Sequence, residues 1–160
     1  MLGITSDLQY LYIVTMMGKS LNENEKRLLK ELTSKNNEWS VADCALACII
    51  LHQQDKKHAT TRLLDIIKKY LVGNSNTGKY FDYVGGSFTS IDQKIHNHTL
   101  VMEALLMASP NDTVLWNDMK QWLLMEKRTT DWGTCTNTLD AIHALLTRGT
   151  DELSDRNEDV

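Results

Sequence analysis

Residues 40–54, SVADCALACIILHQQ, constrain the chain most. Val41, Cys44, Ala45, Cys48, Ile49 and Leu51, with Ala42, Leu46, Ala47 and Ile50, leave almost no polar face at helical spacing. A helix that is apolar nearly all round must be buried on every side. Its neighbours must therefore be helices with one wet face. The next segment, KKHATTRLLDIIKKYLV, fits that demand: Ala59, Leu63, Ile66, Ile67 and Tyr70 form one stripe, and the lysines and Arg62 face water. Asp55 is expected to cap it.

The pattern extends both ways. Ser6 and Gln9 read as a capping box for a first helix, with Leu8, Leu11, Tyr12 and Thr15 inward, broadened by Tyr10, Ile13, Val14 and Met17, and Gly18 as its stop. Asn22 starts a second, outer helix on Leu28, Leu29 and Leu32. KIHNHTLVMEALLMAS is a fifth helix, apolar on most sides and punctuated by Pro110. DTVLWNDMKQWLLMEK is an amphipathic sixth with Val114, Leu115, Met119, Trp122 and Leu123 inward. NTLDAIHALLTR is the seventh, with Leu139, Ile142, Leu145 and Leu146 inward and Gly149 as its end. Outer and inner helices alternate, so antiparallel hairpins in two layers are predicted. Residues 73–94 break the series. Their glycines surround KYFDYV and SFTSI, which reads as a long loop with a short hairpin, and loops of that length are often functional. The fold class is all-α: one helical domain over 1–149 and an acidic, disordered tail over 150–160.

A single proline in 160 residues suits long helices, and 42% hydrophobic against 24% charged residues supports a packed core rather than disorder. A net charge of −4 argues against nucleic acid as a partner. No apolar run is long enough for a membrane span. The N-terminus has no basic region, and Asp7 and Gln9 interrupt it, so it is not read as a signal peptide. A cytosolic chain, or a piece of a longer exported one, is expected.

Candidate chemistry is sparse. Cys44, Cys48 and Cys135 form neither a CxxC pair nor a zinc pattern, and the first two read as buried apolar residues. Cys135 sits before a helix start, which favours a thiolate. His143, however, lies eight residues on, roughly 12 Å along a helix, and cannot serve as its base. His96 and His98 form an HxH pair that could share a metal only on extended backbone. Asp92 is the nearest carboxylate, and no set is completed, so no metal and no cofactor are expected. His52 and His58 flank a turn and read as solvated. Asp82 and Glu103 are single carboxylates; Glu103, on a mostly apolar helix, needs a polar partner. There is no DDxxD, GxGxxG, GxxxxGK or GxSxG.

NEWSVADCALACIILHQQ and TDWGTCTNTLDAIHALLTRG share a layout: a Trp in the turn, small or hydroxyl residues, then a helix rich in Ala and Leu. The stretch DMKQWLLMEKRTTDWGTCTNTLDAIHALLTRG resembles the end of the thioester-type helical domain of alpha-2-macroglobulin family proteins, bacterial members especially. Trp122, Leu123, Leu124 and Lys127 match its helix end. Trp132, Thr134 and Thr138 match its turn, and Ala141, Ala144, Leu145 and Leu146 its next helix. SDLQYLYI and GKYFDYVGGSFTSIDQKIHNHTLVMEAL resemble earlier parts of the same domain, so the order extends over roughly residues 6–149.

The resemblance implies an α/α toroid of the terpenoid-cyclase and prenyltransferase type. It also implies a role in endopeptidase inhibition, partners among other domains of a macroglobulin-like chain and among proteases, and a periplasmic or cell-surface site. Covalent trapping in that family needs a CGEQ-type thioester, and no glutamine stands three after any cysteine here. Seven helices are also fewer than a full toroid has. The expectation is a non-catalytic, partial toroid with Trp122, Trp132, Thr134 and Thr138 as structural signature residues. The alternatives are a toroid-type lyase or cyclase, with Tyr80, Tyr83, His96 and Glu103 lining a central cavity, and a plain helical protein-binding module.

Overall fold

A computed structural model describes residues 4–34, 39–81, 91–127 and 132–154. The described residues form α1 (Ile4–Met16), α2 (Glu23–Ser34), α3 (Val41–Gln53), α4 (Lys57–Lys69), β1 (Leu71–Asn74), β2 (Gly78–Phe81), α5 (Ile91–Ala108), α6 (Thr113–Met125) and α7 (Cys135–Ser154). The fold is all-α, and among the described residues one antiparallel hairpin interrupts the helices. It divides into two compact units. The first holds α1 to α4 and the end of α5 from Ala104; the second holds the hairpin, α5 through Glu103, α6 and α7.

In the first unit α3 is the buried element the sequence demands. Every residue from Asp43 to Leu51 is buried, and Ala45, Ala47, Cys48, Ile49 and Ile50 are fully so. Ser40 starts it with a reciprocal capping box: the Asp43 amide donates to Ser40 Oγ at 3.1 Å, and the Ser40 amide donates to the Asp43 carboxylate at 3.0 Å. Asn22 and Glu25 do the same for α2, at 3.0 and 2.8 Å. Around α3 pack α1, through Leu8 and Leu11, and α4, through Thr60, Leu63, Leu64 and Ile67. Gly18, at φ 71, ends the α1 segment as expected: its amide and that of Lys19 bond back to Thr15 and Val14 carbonyls.

Several expected faces are placed differently. Ser6 lies inside α1 rather than at its cap. Tyr10, Ile13 and Met17 do not broaden the buried face of the first helix; they are exposed. Tyr70 and Val114 are exposed too, and Trp116, in the stripe with Leu115, Met119 and Leu123, takes the buried place that Val114 was expected to hold. The α4 helix stops at Lys69, and Leu71 and Val72 enter β1. The α7 helix runs on through Gly149 to Ser154, into the stretch expected to be disordered. Its Leu139, Ile142 and Leu146 are exposed, while Asn137 and Ala141 are buried. The helix thus presents to its own unit a small-residue face that hydrophobicity alone did not pick out.

Asp55 was expected to cap α4 and instead terminates α3. It sits at φ 56, and its amide bonds the His52 carbonyl at 2.9 Å while the Lys56 amide bonds the Leu51 carbonyl at 2.9 Å. That is the Schellman pair of bonds, with Asp where glycine is usual. The α4 helix consequently starts without a side-chain cap. The nearby Lys57 ammonium is 3.9 Å from the Asp55 carboxylate, and both are well exposed, so the ion pair offsets little. Asp55→Gly should therefore raise unfolding free energy by about 0.5–1 kcal/mol by removing left-handed strain. Urea denaturation should show a higher midpoint at unchanged slope.

Candidate functional site

The second unit is built on α6. Its N-cap is Asp112, whose carboxylate accepts the Leu115 amide at 3.4 Å. Leu115, Trp116, Met119, Trp122 and Leu123 form its buried stripe. The hairpin docks on this helix. Asn74 Oδ1 accepts the amides of Asn76 and Thr77, at 2.8 and 3.1 Å, and so turns the chain between the strands. Gly78, at φ 74, then brings β2 against the helix backbone. A methyl group there would stand 2.7 Å from the Asp118 carbonyl oxygen and closer still to the Trp122 amide nitrogen. Three contacts hold the hairpin in place. The partly exposed Lys79 pairs with the buried Asp118 carboxylate at 3.0 Å, Gln121 donates to the Asn76 carbonyl at 2.7 Å, and the Tyr80 ring stacks on Trp122 at 5.6 Å.

Behind Trp122 lies His98 of α5, fully buried. Its ring tilts against Trp122 at 4.4 Å and meets the edge of Phe81 at 6.2 Å. Nε2 is 3.0 Å from the Met119 carbonyl. A carbonyl only accepts, so Nε2 carries the proton, and the neutral ring leaves Nδ1 bare and without a partner. Burial, only partly opposed by the Met119 bond, pushes the imidazole pKa down to about 4. His98 is therefore neutral at ordinary pH.

His96, two residues earlier, points elsewhere. It is half exposed and donates from Nδ1 to Asp140 of α7 at 2.8 Å. The HxH pair thus lies on a helix and diverges, as helical geometry requires. Among the described residues no group of three or more His, Cys, Asp or Glu side chains is placed to hold a metal ion.

Three of the four residues expected to line a central cavity are described, and each has a partner. Tyr80 is engaged by Trp122, His96 by Asp140, and Glu103 is half-buried and partnered. Tyr83 and Asp82 lie outside the described residues, and nothing is described of the Asp92 side chain. An open depression of about 450 Å³ lies instead along α6, lined by Asn117, Lys120, Gln121, Leu124 and Met125. It is shallow, and its only charge is Lys120, whose ammonium lies 5.3 Å over the Trp116 ring.

The Trp132 turn is built as the sequence suggested. The indole is buried, and its Nε1 donates to the Leu123 carbonyl at 2.7 Å, with the Lys127 ammonium 5.6 Å over the ring. Thr134 caps α7 by accepting the Asn137 amide at 3.2 Å, and Thr138 Oγ1 bridges back to the Thr134 carbonyl at 2.8 Å and the Trp132 amide at 3.2 Å. Trp132, Thr134 and Thr138 thus build the turn, and Trp122 anchors the helix before it.

The thiols separate by environment. Burial, reinforced by the Asp43 carboxylate, pushes Cys44 up to about 11; burial and Cys44 push Cys48 up to about 12. Neither holds an appreciable thiolate near neutral pH, so neither is a nucleophile. Cys135 is exposed at the start of α7. No family model, no curated protein and no solved structure matches this chain.

Lys79, Asp118 and Asp140 carry no signal in the sequence, whereas Gly78 is among the glycines that mark the hairpin loop. Lone charges carry no spacing signal; only the glycine, standing between Thr77 and a short alternating run, hinted at a tight hairpin. Gly78→Ala should cost about 2–4 kcal/mol, since a left-handed backbone and a backbone clash add together. Loss of the Tyr80–Trp122 signal in near-ultraviolet circular dichroism should accompany it.

His98 makes a pH prediction of definite sign. Its folded pKa lies below the unfolded value near 6.5, so its contribution is complete above pH 6.5 and is lost as pH falls towards about 4. His98→Gln should flatten the stability–pH curve between those limits by up to about 1.4 kcal/mol per pH unit. Denaturation midpoints of both proteins across pH 4–7 read this slope directly; parallel curves would contradict it.

Proposed function

We propose that this chain is a non-catalytic helical interaction domain, and more finely a scaffold domain of a macroglobulin-like protease trap that lacks its own thioester. The exposed apolar stripe of α7 carries the reading: Leu139, Ile142 and Leu146 are 63%, 42% and 53% exposed on a single face. Isolated exposed leucines need no explanation, but an aligned apolar row on a long helix marks a surface that another polypeptide covers.

The chemistry supports a binding role over a covalent one. Two thiols are buried and protonated, and no cysteine has the glutamine a thioester requires. The finer part of the proposal, including the α/α toroid architecture, rests on the resemblance carried by Trp122, Trp132, Thr134 and Thr138. Its partners are other domains of a macroglobulin-like chain and endopeptidases, at the periplasm or cell surface. No described helix is long and apolar enough to cross a membrane.

A photo-reactive diazirine amino acid placed at Leu139 or at Leu146 tests the interaction reading in expressing cells. Conjugates heavier than the chain are expected, and mass spectrometry identifies what is joined. An endopeptidase or a macroglobulin-like polypeptide among them supports the finer form. No conjugate from either position would sink the interaction reading. Leu139→Ser and Leu146→Ser should each shift stability by less than about 0.5 kcal/mol, as exposed positions do. Leu123→Ala, in the core, should cost about 2–5 kcal/mol.

A further inference from the structure

We propose that the β1–β2 hairpin is an acid-released flap: when His98 gains a proton, the hairpin leaves α6 and uncovers the Trp122 ring, while α5 and α6 stay packed. Three elements enclose the His98 ring, and they treat it unequally. Its own helix, α5, carries it. The α6 helix gives it a hydrogen bond, from Nε2 to the Met119 carbonyl at 3.0 Å, and the Trp122 ring at 4.4 Å. The hairpin gives it the apolar edge of Phe81, at 6.2 Å. A further proton goes to Nδ1, which is buried and has no acceptor. The charged ring donates from both nitrogens. Its bond to Met119 survives the change and becomes charge-assisted, so α5 and α6 gain no reason to part. The new Nδ1–H needs water, and the wall that can move to admit it is Phe81.

The hairpin is built to leave first. Two strands of four residues are marginal by themselves, so this pair persists through its docking on α6. The β1 strand is largely exposed, and Gly78 and Phe81 are the buried positions of β2. Its other fastenings are the Lys79–Asp118 ion pair, the Gln121 bond to Asn76 and the Tyr80–Trp122 stack. An element held by few buried apolar side chains opens at less than the global unfolding free energy. The α6 helix, with Leu115, Trp116, Met119 and Leu123 in the core, does not share that weakness.

Among the described residues the charges around the ring are engaged elsewhere. On α6 the Asp118 carboxylate is taken by Lys79, and the Lys120 ammonium lies 5.3 Å over Trp116. On α5 His96 pairs with Asp140 of α7, and Glu103 is partnered. On β2 the charged residue is Lys79; Asp82, next after Phe81, lies outside the described residues. Burial, partly opposed by the Met119 bond, therefore sets the proton affinity of the closed form, at about 4. Opened to water, the ring returns towards 6.5. The open form binds the proton more tightly, so a falling pH favours it. Between 6.5 and about 4 the balance moves by up to about tenfold per pH unit.

Amide hydrogen exchange of the intact chain, followed by NMR and expressed as protection factors, tests the flap. Between pH 7 and 4.5 the cross-strand amides of residues 71–81 should lose about thirtyfold or more of their protection. The amides of Met119 to Leu123 and of α3 should change by less than about threefold. Nuclear Overhauser contacts from Tyr80 to Trp122 should fade over the same range, while those from Trp132 to Leu123 persist. His98→Gln keeps a donor for the Met119 carbonyl and cannot take up the proton, so its hairpin should stay protected throughout. Asp118→Asn and Asp82→Asn remove the neighbouring carboxylates and should each retain the loss on acidification. Steady hairpin protection in the unaltered chain would overturn the flap. So would a loss in step with α6, which is unfolding of the whole unit, or a loss that persists in His98→Gln. Should His98→Gln not fold, the His98 ring titration of the unaltered chain decides. Hairpin loss must share its midpoint, and a mismatch overturns the proposal.

Discussion

The second unit depends on Trp122. Its indole supports the Tyr80 ring on one side and the buried His98 ring on another, and its backbone is where Gly78 touches α6. One residue earlier Gln121 holds the hairpin turn, one residue later the Leu123 carbonyl holds the Trp132 indole, and one turn back the Met119 carbonyl holds His98. Hairpin, α5 and the turn before α7 are thus all fastened to five consecutive residues of one helix. Buried polar groups cost free energy unless they are paired, so each of these bonds also fixes orientation. The single bare atom among them, His98 Nδ1, is tolerable only on a neutral ring, and that makes the cluster acid-sensitive.

The first unit has a different logic. There α3 is buried by composition, with small Ala and Cys residues letting α1 and α4 approach and Ile49 and Ile50 filling the space. The polar side chains act at the ends: Ser40 with Asp43, Asn22 with Glu25, and Asp55 in the left-handed region. The thiols in such a helix behave as small apolar groups, and their raised pKa values follow from the same burial.

Legibility in the sequence followed the physics. The buried α3, the Asn22 and Ser40 starts, the Gly18 stop and the Trp132 turn were all readable, because all-round hydrophobicity, capping chemistry and a hydroxyl cluster each have one local meaning. Asp55 was misassigned because aspartate is favoured both at N-caps and in left-handed turns, and the two roles sit one or two residues apart. The β1 strand was hidden because Leu71 and Val72 continue the apolar count of α4. The HxH pair was left open because its meaning depends on whether the backbone is helical. Lys79 with Asp118 and His96 with Asp140 join positions 39 and 44 residues apart, and no single-sequence spacing reports such pairs.

The α7 helix shows the deeper limit. Periodicity identifies which side of a helix is apolar, and it assumes that the apolar side is the one its own chain covers. In α7 the leucine side faces solvent, while a face of Asn137 and Ala141 packs inward. Small residues let that inward face pack closely, and the large apolar side chains stand on the opposite side. Such a helix gives one averaged hydrophobic direction, and here it points at the exposed side. Hydrophobic periodicity therefore marks the core side of a helix only where the inward residues are large, and in α7 the inward side is made by Asn137 and Ala141 while Leu139, Ile142 and Leu146 stand in solvent.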